Sequence, residues 1–320
     1  MFRTPVSLEP ISSPITPASR CLSVGSCFAD FIGSRLSSNK LKAVTNPHGI
    51  IFHPIAQLQV LEMAISGSMP ARDTYVKNQG IWYNFLFHST VSASNVSDVE
   101  NIIKRLLGQL KTELQSADFL LFTFGTAIQY QLIRSGQLVA NCHKVAQSEF
   151  DKSITPAEEI SRAFDTFYRS WDSDTKVILS VSPIRHIKEG IVRNSVSKAT
   201  LRVACEQIIQ THANISYFPG FEIMMDDLRD YRFFEKDMIH PNETARDYIW
   251  KLFCANYLDQ EGRALVEQWQ RISQNMAHRP FHPNSAKHQA FLKKTIQMIE
   301  QLPDHIDTSK EVAHLKKQLL

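Results

Sequence analysis

The stretch CLSVGSCFADFIGSRL, residues 21–36, contains the junction that decides the fold. Its first five residues are a short, mostly apolar run that is typical of a buried strand and ends at Gly25. Beyond this glycine, Phe28, Ile32 and Leu36 recur with the spacing of one helical face. The stretch therefore predicts a buried strand that turns directly into a helix, and Gly25 lets the backbone turn sharply.

Alternating strand-like and helix-like segments continue over residues 20–255 and predict the fold class. Such alternation is typical of an α/β protein, so we expect a three-layer, doubly wound parallel sheet. The strand-like runs are CLSVG, LKAVTN, ADFLLFTFG, KVILSVSP and ISYFPGFEI. Helices are predicted at residues 98–116, around 156–171, around 198–210 and from about Asn242.

Shifts in composition indicate three regions. Residues 1–20 form a proline-containing N-terminal extension, and residues 21–257 form the α/β domain. Within this domain, residues of about 50–97 are predicted to be an insertion, in which the aromatic, partly alternating run IWYNFLFHS indicates a short hairpin or a flap. Residues 258–320 are polar and helical in pattern and are predicted to form a helical C-terminal appendage.

The composition limits the classes of partner. The chain has 320 residues, 43% of them hydrophobic, which is enough to bury one large core. Its 35 Lys and Arg residues nearly balance 32 Asp and Glu residues, so the formal charge of +3 argues against a nucleic-acid partner. The most apolar window, residues 119–128, is much shorter than the ~20 residues of a membrane-spanning helix, so we expect no membrane partner.

Cysteine usage and the N-terminus indicate the compartment. The five cysteines are an odd number without a CxxC pair, and the first 20 residues lack the continuous apolar core of a signal peptide. These features predict a cytoplasmic protein with reduced thiols. The spacing of Cys142, His143 and His186 matches no recognised zinc site, so neither a metal nor another cofactor is expected.

Two nucleophile-type side chains, Ser26 and Cys27, follow Gly25 directly. At a helix N-terminus, either one would lie beside unpaired backbone N–H groups and the positive end of the helix dipole, which can stabilise an oxyanion. The structural alternative is that Ser26 caps the helix and Cys27 is simply a buried small residue. The turn is therefore a candidate site of nucleophilic catalysis.

A candidate base lies near the end of the α/β domain, in the segment DMIHP. Asp237 precedes His240 by three residues, and a carboxylate so placed can orient an imidazole and stabilise its protonated form. The alternative is an aspartate that caps a turn beside a surface histidine. Because the carboxyl ends of parallel strands meet at one edge, we expect this segment to approach the Ser26–Cys27 turn.

Many ordered motifs resemble one family. The string GSCFA at residues 25–29 resembles the signature of the GSCFA family, a branch of the SGNH (GDSL-like) hydrolase superfamily, and the similarity extends over most of residues 21–255. The resemblance implies a flavodoxin-like sheet and hydrolysis of an ester or acyl bond through a covalent intermediate. The other matching segments are NPHGI, FHS, TFGTA, NCHK, VSPIRH, SKATL, YFPGFEI, LRDYRFF and DMIHP.

The resemblance also implies roles for particular residues. The superfamily has a nucleophile after the first strand, an oxyanion-binding Gly after the second and a DxxH motif near the end, which Gly49 and Asp237 with His240 match. The register of the superfamily's GDS motif places the nucleophile at Cys27, whereas its ester chemistry favours Ser26, so both stay candidates. For Cys27, a helix N-terminus and a nearby histidine predict a lowered thiol pKa.

The third element of the superfamily pattern, an oxyanion-binding Asn after the third strand, is not matched. Its position in the loop FGTA is occupied by Ala127. One oxyanion donor is therefore either missing, which would argue against ordinary esterase activity, or supplied elsewhere, for which Thr126, Asn141 and Arg185 are the candidates; Gly125 lies in the same loop as Ala127. Loss of one such donor typically lowers the rate by ~10²–10³.

The matching loops also carry many basic side chains. Around a pocket they would suit an anionic or polyhydroxylated substrate; alternatively, they are solvated or form ion pairs with Asp226, Asp227 and Asp230. These basic residues are His88, His143, Lys144, Arg185, His186, Arg229 and Arg232.

Together, these observations predict a hydrolase that acts on a small-molecule or carbohydrate ester. An acyltransferase would use the same residues and differ only in the acceptor of the acyl group. Two alternatives from other classes are a catalytically inactive carbohydrate- or peptide-binding module and a thiol sensor built on Cys27.

Overall fold

The computed structural model of the protein describes residues 3–171 and 173–320. Within them the predicted α/β architecture is present, with a central parallel sheet and helices on both of its faces. The strands, in chain order, are β1 (Arg20–Gly25), β2 (Lys42–Thr45), β3 (Tyr75–Asn78), β4 (Ile81–Asn84), β5 (Ser92–Ala93), β6 (Phe119–Phe124), β7 (Ile128–Leu132), β8 (Leu138–Val139), β9 (Phe150–Ile154), β10 (Lys176–Val181) and β11 (Ile215–Tyr217).

Helices connect these strands and form the C-terminal part of the chain. They are α1 (Cys27–Ser38), α2 (Pro54–Ser66), α3 (Val96–Ser116), α4 (Ala157–Trp171), α5 (Ile191–Thr211), α6 (Gly220–Glu222), α7 (Glu243–Tyr257), α8 (Gln260–Ala277), α9 (Ala286–Glu300) and α10 (Ser309–Lys316). No helix in the described part of the chain is both long enough and apolar enough to cross a membrane.

The central sheet has the strand order β11-β10-β6-β1-β2, and every neighbouring pair is parallel. In register, Leu22 of β1 lies opposite Val44 on one side and Leu120 on the other. All six residues of β6 are buried because this strand lies mid-sheet with helices on both faces. This is the order expected of a flavodoxin-like sheet, in which β1 occupies an inner position.

Side chains alternate between the two faces of β6, as the pleat requires. Leu120 and Phe122 belong to a core that includes residues of α2, α3, α4 and α5. Phe119 and Leu121 belong to a second core, on the other face, with residues of α1, α7, α8 and α9. The sheet and its two helical faces therefore form three layers.

Residues 50–97 contain one helix of the three-layer core and a small antiparallel sheet outside it. Helix α2 packs in the first core beside α3 and α4. After it, the hairpin predicted from IWYNFLFHS is present: β4 pairs antiparallel with β3 and with β5. A second small sheet has the strand order β8-β7-β9. The sequence did not predict these strands, because β7 (IQYQL) has too few apolar residues to be recognised as a strand.

The C-terminal helices pack on the α1 side of the sheet. The Trp269 indole Nε1 of α8 donates to the Ser38 carbonyl at 2.7 Å, at the end of α1. Lys40 reaches the Glu311 carboxylate of α10 at 2.7 Å. These contacts join the C-terminal helices to the last residues of α1 and to Lys40 just beyond it, and no described residue of 258–320 lines the Cys27 cavity.

Candidate active site

The turn after β1 has the sharp backbone that the sequence predicts. Gly25 has a φ of +125°, and a Cβ at this position would collide with the Thr123 carbonyl oxygen of β6. Its N–H donates to the Asn46 side-chain carbonyl at 2.8 Å, and Asn46 also donates from Nδ2 to Asp30 at 2.7 Å. The loop after β2 thus holds the turn through Asn46, a residue that sequence reasoning did not single out.

Ser26 and Cys27 take different positions at this turn. Ser26 is the N-cap of α1 and is only 1% exposed; its Oγ accepts a hydrogen bond from the Phe28 N–H at 3.2 Å. Cys27 is the first residue of α1, is half-buried and lines a cavity of about 150 Å³. Among the described residues no acceptor is paired with its backbone N–H, which is one of the unpaired donors at the start of the helix.

The predicted lowering of the Cys27 pKa is wrong. Burial of the thiol, followed by the nearby Asp30 carboxylate, raises the pKa of Cys27 above its usual value. The backbone N–H acts in the opposite direction but is outweighed. Cys27 is therefore a protonated thiol at neutral pH, and its use as a nucleophile requires a base.

His240 lines the same cavity as Cys27 and is held by Asp237. One Asp237 carboxylate oxygen accepts from His240 Nδ1 at 2.7 Å, and the other accepts from the N–H groups of Ile239 at 2.9 Å and His240 at 3.0 Å. These hydrogen bonds lower the pKa of Asp237 to about 2, so the carboxylate is ionised at neutral pH. An ionised acceptor at Nδ1 fixes the tautomer with Nδ1 protonated, which leaves Nε2 to accept a proton.

Arg185 connects the loop after β10 to the Asp237–His240 segment. Its backbone N–H donates to the Ile239 carbonyl at 3.3 Å, and its Nη1 donates to the Met238 carbonyl at 3.1 Å. The guanidinium stacks 3.9 Å from the centre of the Phe234 ring and also lines the Cys27 cavity. A permanently charged donor is thereby present in the cavity wall.

Gly49, Gly125 and Thr126 use their backbone N–H groups elsewhere. The Gly49 N–H donates to the Asn46 carbonyl at 2.8 Å, and those of Gly125 and Thr126 donate to the Phe52 carbonyl at 2.8 and 3.1 Å. Gly125 itself lines the Cys27 cavity, but Thr126 directs its hydroxyl to Ser197 Oγ at 3.1 Å. To bind an oxyanion, any of these three N–H groups would first have to leave its present acceptor.

Asn141 and His143 lie in an adjoining cavity of about 340 Å³, which shares Phe52 and His186 with the first. His143 is 4% exposed, stacks on Tyr83 at 4.7 Å and places Nε2 2.8 Å from the Asn84 carbonyl oxygen. Burial lowers the pKa of His143, so it is neutral at pH 7. The structure thus brings Cys27, Asp237, His240 and Arg185 together and separates Asn141 and His143 from them.

The basic residues do not form one cluster. Arg229 and Arg232 line a different cavity of about 830 Å³, and Arg232 pairs with Asp230 at 2.9 Å, as in the ion-pair alternative. Lys144 lines the cavity of Asn141. In the described residues, no group of three or more His, Cys, Asp and Glu side chains is placed to hold a metal ion.

Lys198 is a site-associated residue that sequence reasoning missed. It is 1% exposed, and its Nζ donates to the carbonyls of Gly125 and Ser182, both at 2.7 Å. Burial lowers its pKa to about 7. The signal was its position in α5, where it falls on the same buried face as Leu201 and Cys205.

Comparison with known protein families finds a match that spans this arrangement. A family model described as "GSCFA family" matches residues 20–253, a span that contains the whole parallel sheet and the Cys27–His240 cavity. The chain belongs to the GSCFA family.

A second model, "GSCFA domain protein, C-terminal domain", matches residues 269–320. In this GSCFA family member, that span contains α9, α10 and the second half of α8. No curated protein matches the chain. The GSCFA motif itself, residues 25–29, forms the turn after β1 and the first residues of α1.

Proposed function

We propose that this protein is an SGNH-like hydrolase that cleaves an ester or acyl bond through a covalent intermediate on Cys27. One observation carries the proposal: Cys27 and His240 line the same cavity, and Asp237 holds His240 Nδ1 at 2.7 Å. Cys27, His240 and Asp237 would then be the nucleophile, the base and the carboxylate that orients the base, as covalent acyl transfer requires. The strand order and the DxxH segment support placement in the SGNH superfamily.

Cys27 is the better nucleophile because the Ser26 hydroxyl is engaged. Ser26 Oγ is buried and already accepts the Phe28 N–H, so attack by Ser26 would break the cap of α1. Cys27 is at the cavity surface, and no acceptor in residues 3–171 and 173–320 is paired with its N–H. The register of the superfamily motif favours the same residue.

The proposed reaction begins with transfer of the thiol proton to His240 Nε2, because the raised pKa of Cys27 leaves little thiolate at neutral pH. The sulfur bonds to the substrate carbonyl carbon, and the carbonyl oxygen becomes an oxyanion. As the ester C–O bond breaks, His240 returns the proton to the departing alkoxide. Water then attacks the thioester with His240 as base, releasing the acid and regenerating the thiol.

The oxyanion is assigned to the Cys27 N–H and the Arg185 guanidinium. The first is an unpaired helix N-terminal donor, and the second is a charged donor in the cavity wall. Arg185 would thus replace the absent Asn of the superfamily pattern. Its stacking on Phe234 limits how far the guanidinium moves.

The substrate is proposed to be a small-molecule or carbohydrate ester. The adjoining cavity around Asn141 gives one specific reason to keep acyl transfer as a second candidate, because it could hold an acceptor hydroxyl beside the acyl-enzyme. All five cysteines are free thiols, which supports the proposal of a cytoplasmic location.

The test is acylation by p-nitrophenyl acetate, followed by intact mass and peptide mapping. We expect one acetyl group on Cys27 in the wild type, none in Cys27→Ala, and turnover reduced by at least ~10²-fold in His240→Ala. Ser26→Ala is the matched control and should still be acylated. Acetylation that disappears in Ser26→Ala but persists in Cys27→Ala would make Ser26 the nucleophile; no adduct in any form of the protein would favour the binding module.

A further inference from the structure

Lys198 lies in the interior of the protein without a carboxylate partner among the described residues. Its side chain is on the buried face of α5 and is 1% exposed. Burial of an amine that is not paired with an acid is costly, so its environment must offer good hydrogen-bond acceptors. The two acceptors are main-chain carbonyls, those of Gly125 and Ser182, both at 2.7 Å.

Both acceptor residues belong to the wall of the Cys27 cavity. Gly125 follows β6 and Ser182 follows β10, and both line the cavity with Cys27 and His240. Lys198 therefore contacts the cavity wall from behind, from the protein interior. The Nζ atom thus links the loops that follow β6 and β10, two strands that are neighbours in the parallel sheet.

The same contacts extend to a third loop. The N–H groups of Gly125 and Thr126 both donate to the Phe52 carbonyl, which is in the loop that precedes α2. Gly125 can approach so closely because it has no side chain; a Cβ there would lie 2.8 Å from the Phe52 carbonyl oxygen. Phe52 lines both the Cys27 cavity and the cavity of Asn141.

We infer that Lys198 is a positioning residue, which fixes the loops after β6 and β10, and through Gly125 the Phe52 loop, as the wall facing Cys27 and His240. Its effect on turnover rests on the proposed function. Its effect on access to Cys27 does not, because the wall encloses the thiol whatever reaction follows.

The experiment compares Lys198→Met and Lys198→Gln, which are close in size but differ in that only Gln keeps N–H donors. Leu201→Ala is the control, because Leu201 is a fully buried residue one turn further along the same helix. Two quantities are measured well below the melting temperature: the rate of iodoacetamide modification of Cys27, by peptide mass spectrometry, and kcat and KM for p-nitrophenyl acetate.

In Lys198→Met we expect severalfold faster modification of Cys27, because the wall opens. We also expect kcat to fall by up to ~10²-fold with little change in KM, because the reacting groups are misplaced. For Lys198→Gln, both the rate of Cys27 modification and kcat should lie between those of Lys198→Met and the wild type. Leu201→Ala should melt at a lower temperature yet match the wild type in both readouts, since a merely structural defect does not change the cavity wall.

The inference would be overturned in any of three ways. Lys198→Met could match the wild type in Cys27 modification, Lys198→Gln could behave like Lys198→Met, or both variants could fail to fold while Leu201→Ala folds. If the wild type shows no esterase activity, the proposed function fails, and the modification rates alone decide the role of Lys198.

Discussion

At the scale of single residues, the adjacent side chains of Ser26 and Cys27 differ in their contacts because Ser26 lies just before helix α1 and Cys27 is its first residue. The Ser26 backbone is extended, so its hydroxyl faces back to the helix N–H groups and serves as the cap. Cys27 begins the helix and faces the cavity. The turn that places Cys27 at the cavity also holds its thiol protonated, because burial and the Asp30 carboxylate outweigh the backbone N–H at the helix N-terminus.

The raised pKa of Cys27 predicts how its reactivity depends on pH. Iodoacetamide modifies the thiolate, so its rate at Cys27 should still rise by about tenfold per unit near pH 8.5, where an ordinary cysteine levels off. Asp30→Asn removes the second cause of the shift and should move the midpoint to lower pH, with faster modification at pH 8. Asp151→Asn, an exposed position on β9, is the control and should change nothing. A wild-type midpoint at or below about pH 8.5, the value of an ordinary cysteine, would contradict this prediction.

At the scale of elements, α5 has a polar first half and an apolar second half on one buried face. Asn194 accepts the His186 N–H at 2.8 Å, Ser197 accepts the Ala127 N–H at 2.8 Å, and Lys198 holds Gly125 and Ser182. Further along, Leu201 and Cys205 pack in the apolar core. The first turns of α5 therefore support the loops of the site, while the rest of the helix contributes to stability.

The lowered pKa of Lys198 predicts a pH dependence of stability that belongs to this helix. The pKa of Lys198 is about 7 in the folded protein, against ~10.4 for an unperturbed lysine, so between these values the unfolded chain binds more protons. The free energy of unfolding should therefore rise with pH in this window, by at most ~1.4 kcal/mol per unit from this group. Below pH 7 the group is protonated in both states and contributes no slope.

The measurement is urea unfolding from pH 7 to 9.5, taken as the difference between the wild type and Lys198→Met. Because both proteins contain the same cysteines and tyrosines, the difference between their free energies of unfolding reports the contribution of Lys198 alone. Lys104→Met, an exposed position on α3, should show the same slope as the wild type. A difference between the wild type and Lys198→Met that does not vary with pH would contradict the lowered pKa of Lys198.

At the scale of the whole molecule, the two ends of the chain complete the second core. Ile15 is fully buried, and its N–H donates to the Tyr257 carbonyl at 2.8 Å, while its own carbonyl accepts the Asp259 N–H at 3.0 Å. Trp269 of α8 is buried in the same core, on the face of the sheet that carries α1 and α7. The C-terminal helices thus cover apolar surface and do not enter the Cys27 cavity.

This arrangement predicts that stability and site geometry can be changed separately. Trp269→Ala removes a large buried side chain and its hydrogen bond to Ser38, and should lower the free energy of unfolding by ~3–5 kcal/mol. Phe281→Ala, at a position 99% exposed, should change it by less than ~0.5 kcal/mol. Both should leave the rate of Cys27 modification unchanged at low temperature. A changed rate in Trp269→Ala would mean that the C-terminal helices influence the site.

Local patterns in the sequence were enough to predict the parallel strands, α1, α3 and the cap of α7 at Asn242, because the spacing of apolar residues and capping side chains acts over a few positions. They were not enough for β7, whose polar residues gave no apolar run, nor for the end of β11, which stops at Tyr217 before Pro219 rather than continuing through ISYFPGFEI.

The sequence by itself determined the α/β fold, the sharp turn at Gly25 and the pairing of Asp237 with His240, because each depends on residues that are neighbours along the chain. Only the tertiary structure decided that Cys27 and not Ser26 lines a cavity together with His240, that burial raises the thiol pKa, and that Asn141 lies in a separate cavity. It also decided the role of Lys198. The physical reason is the same in each case: burial and the partners of a hydrogen bond are set by segments that are far apart in the chain and meet only when the sheet assembles.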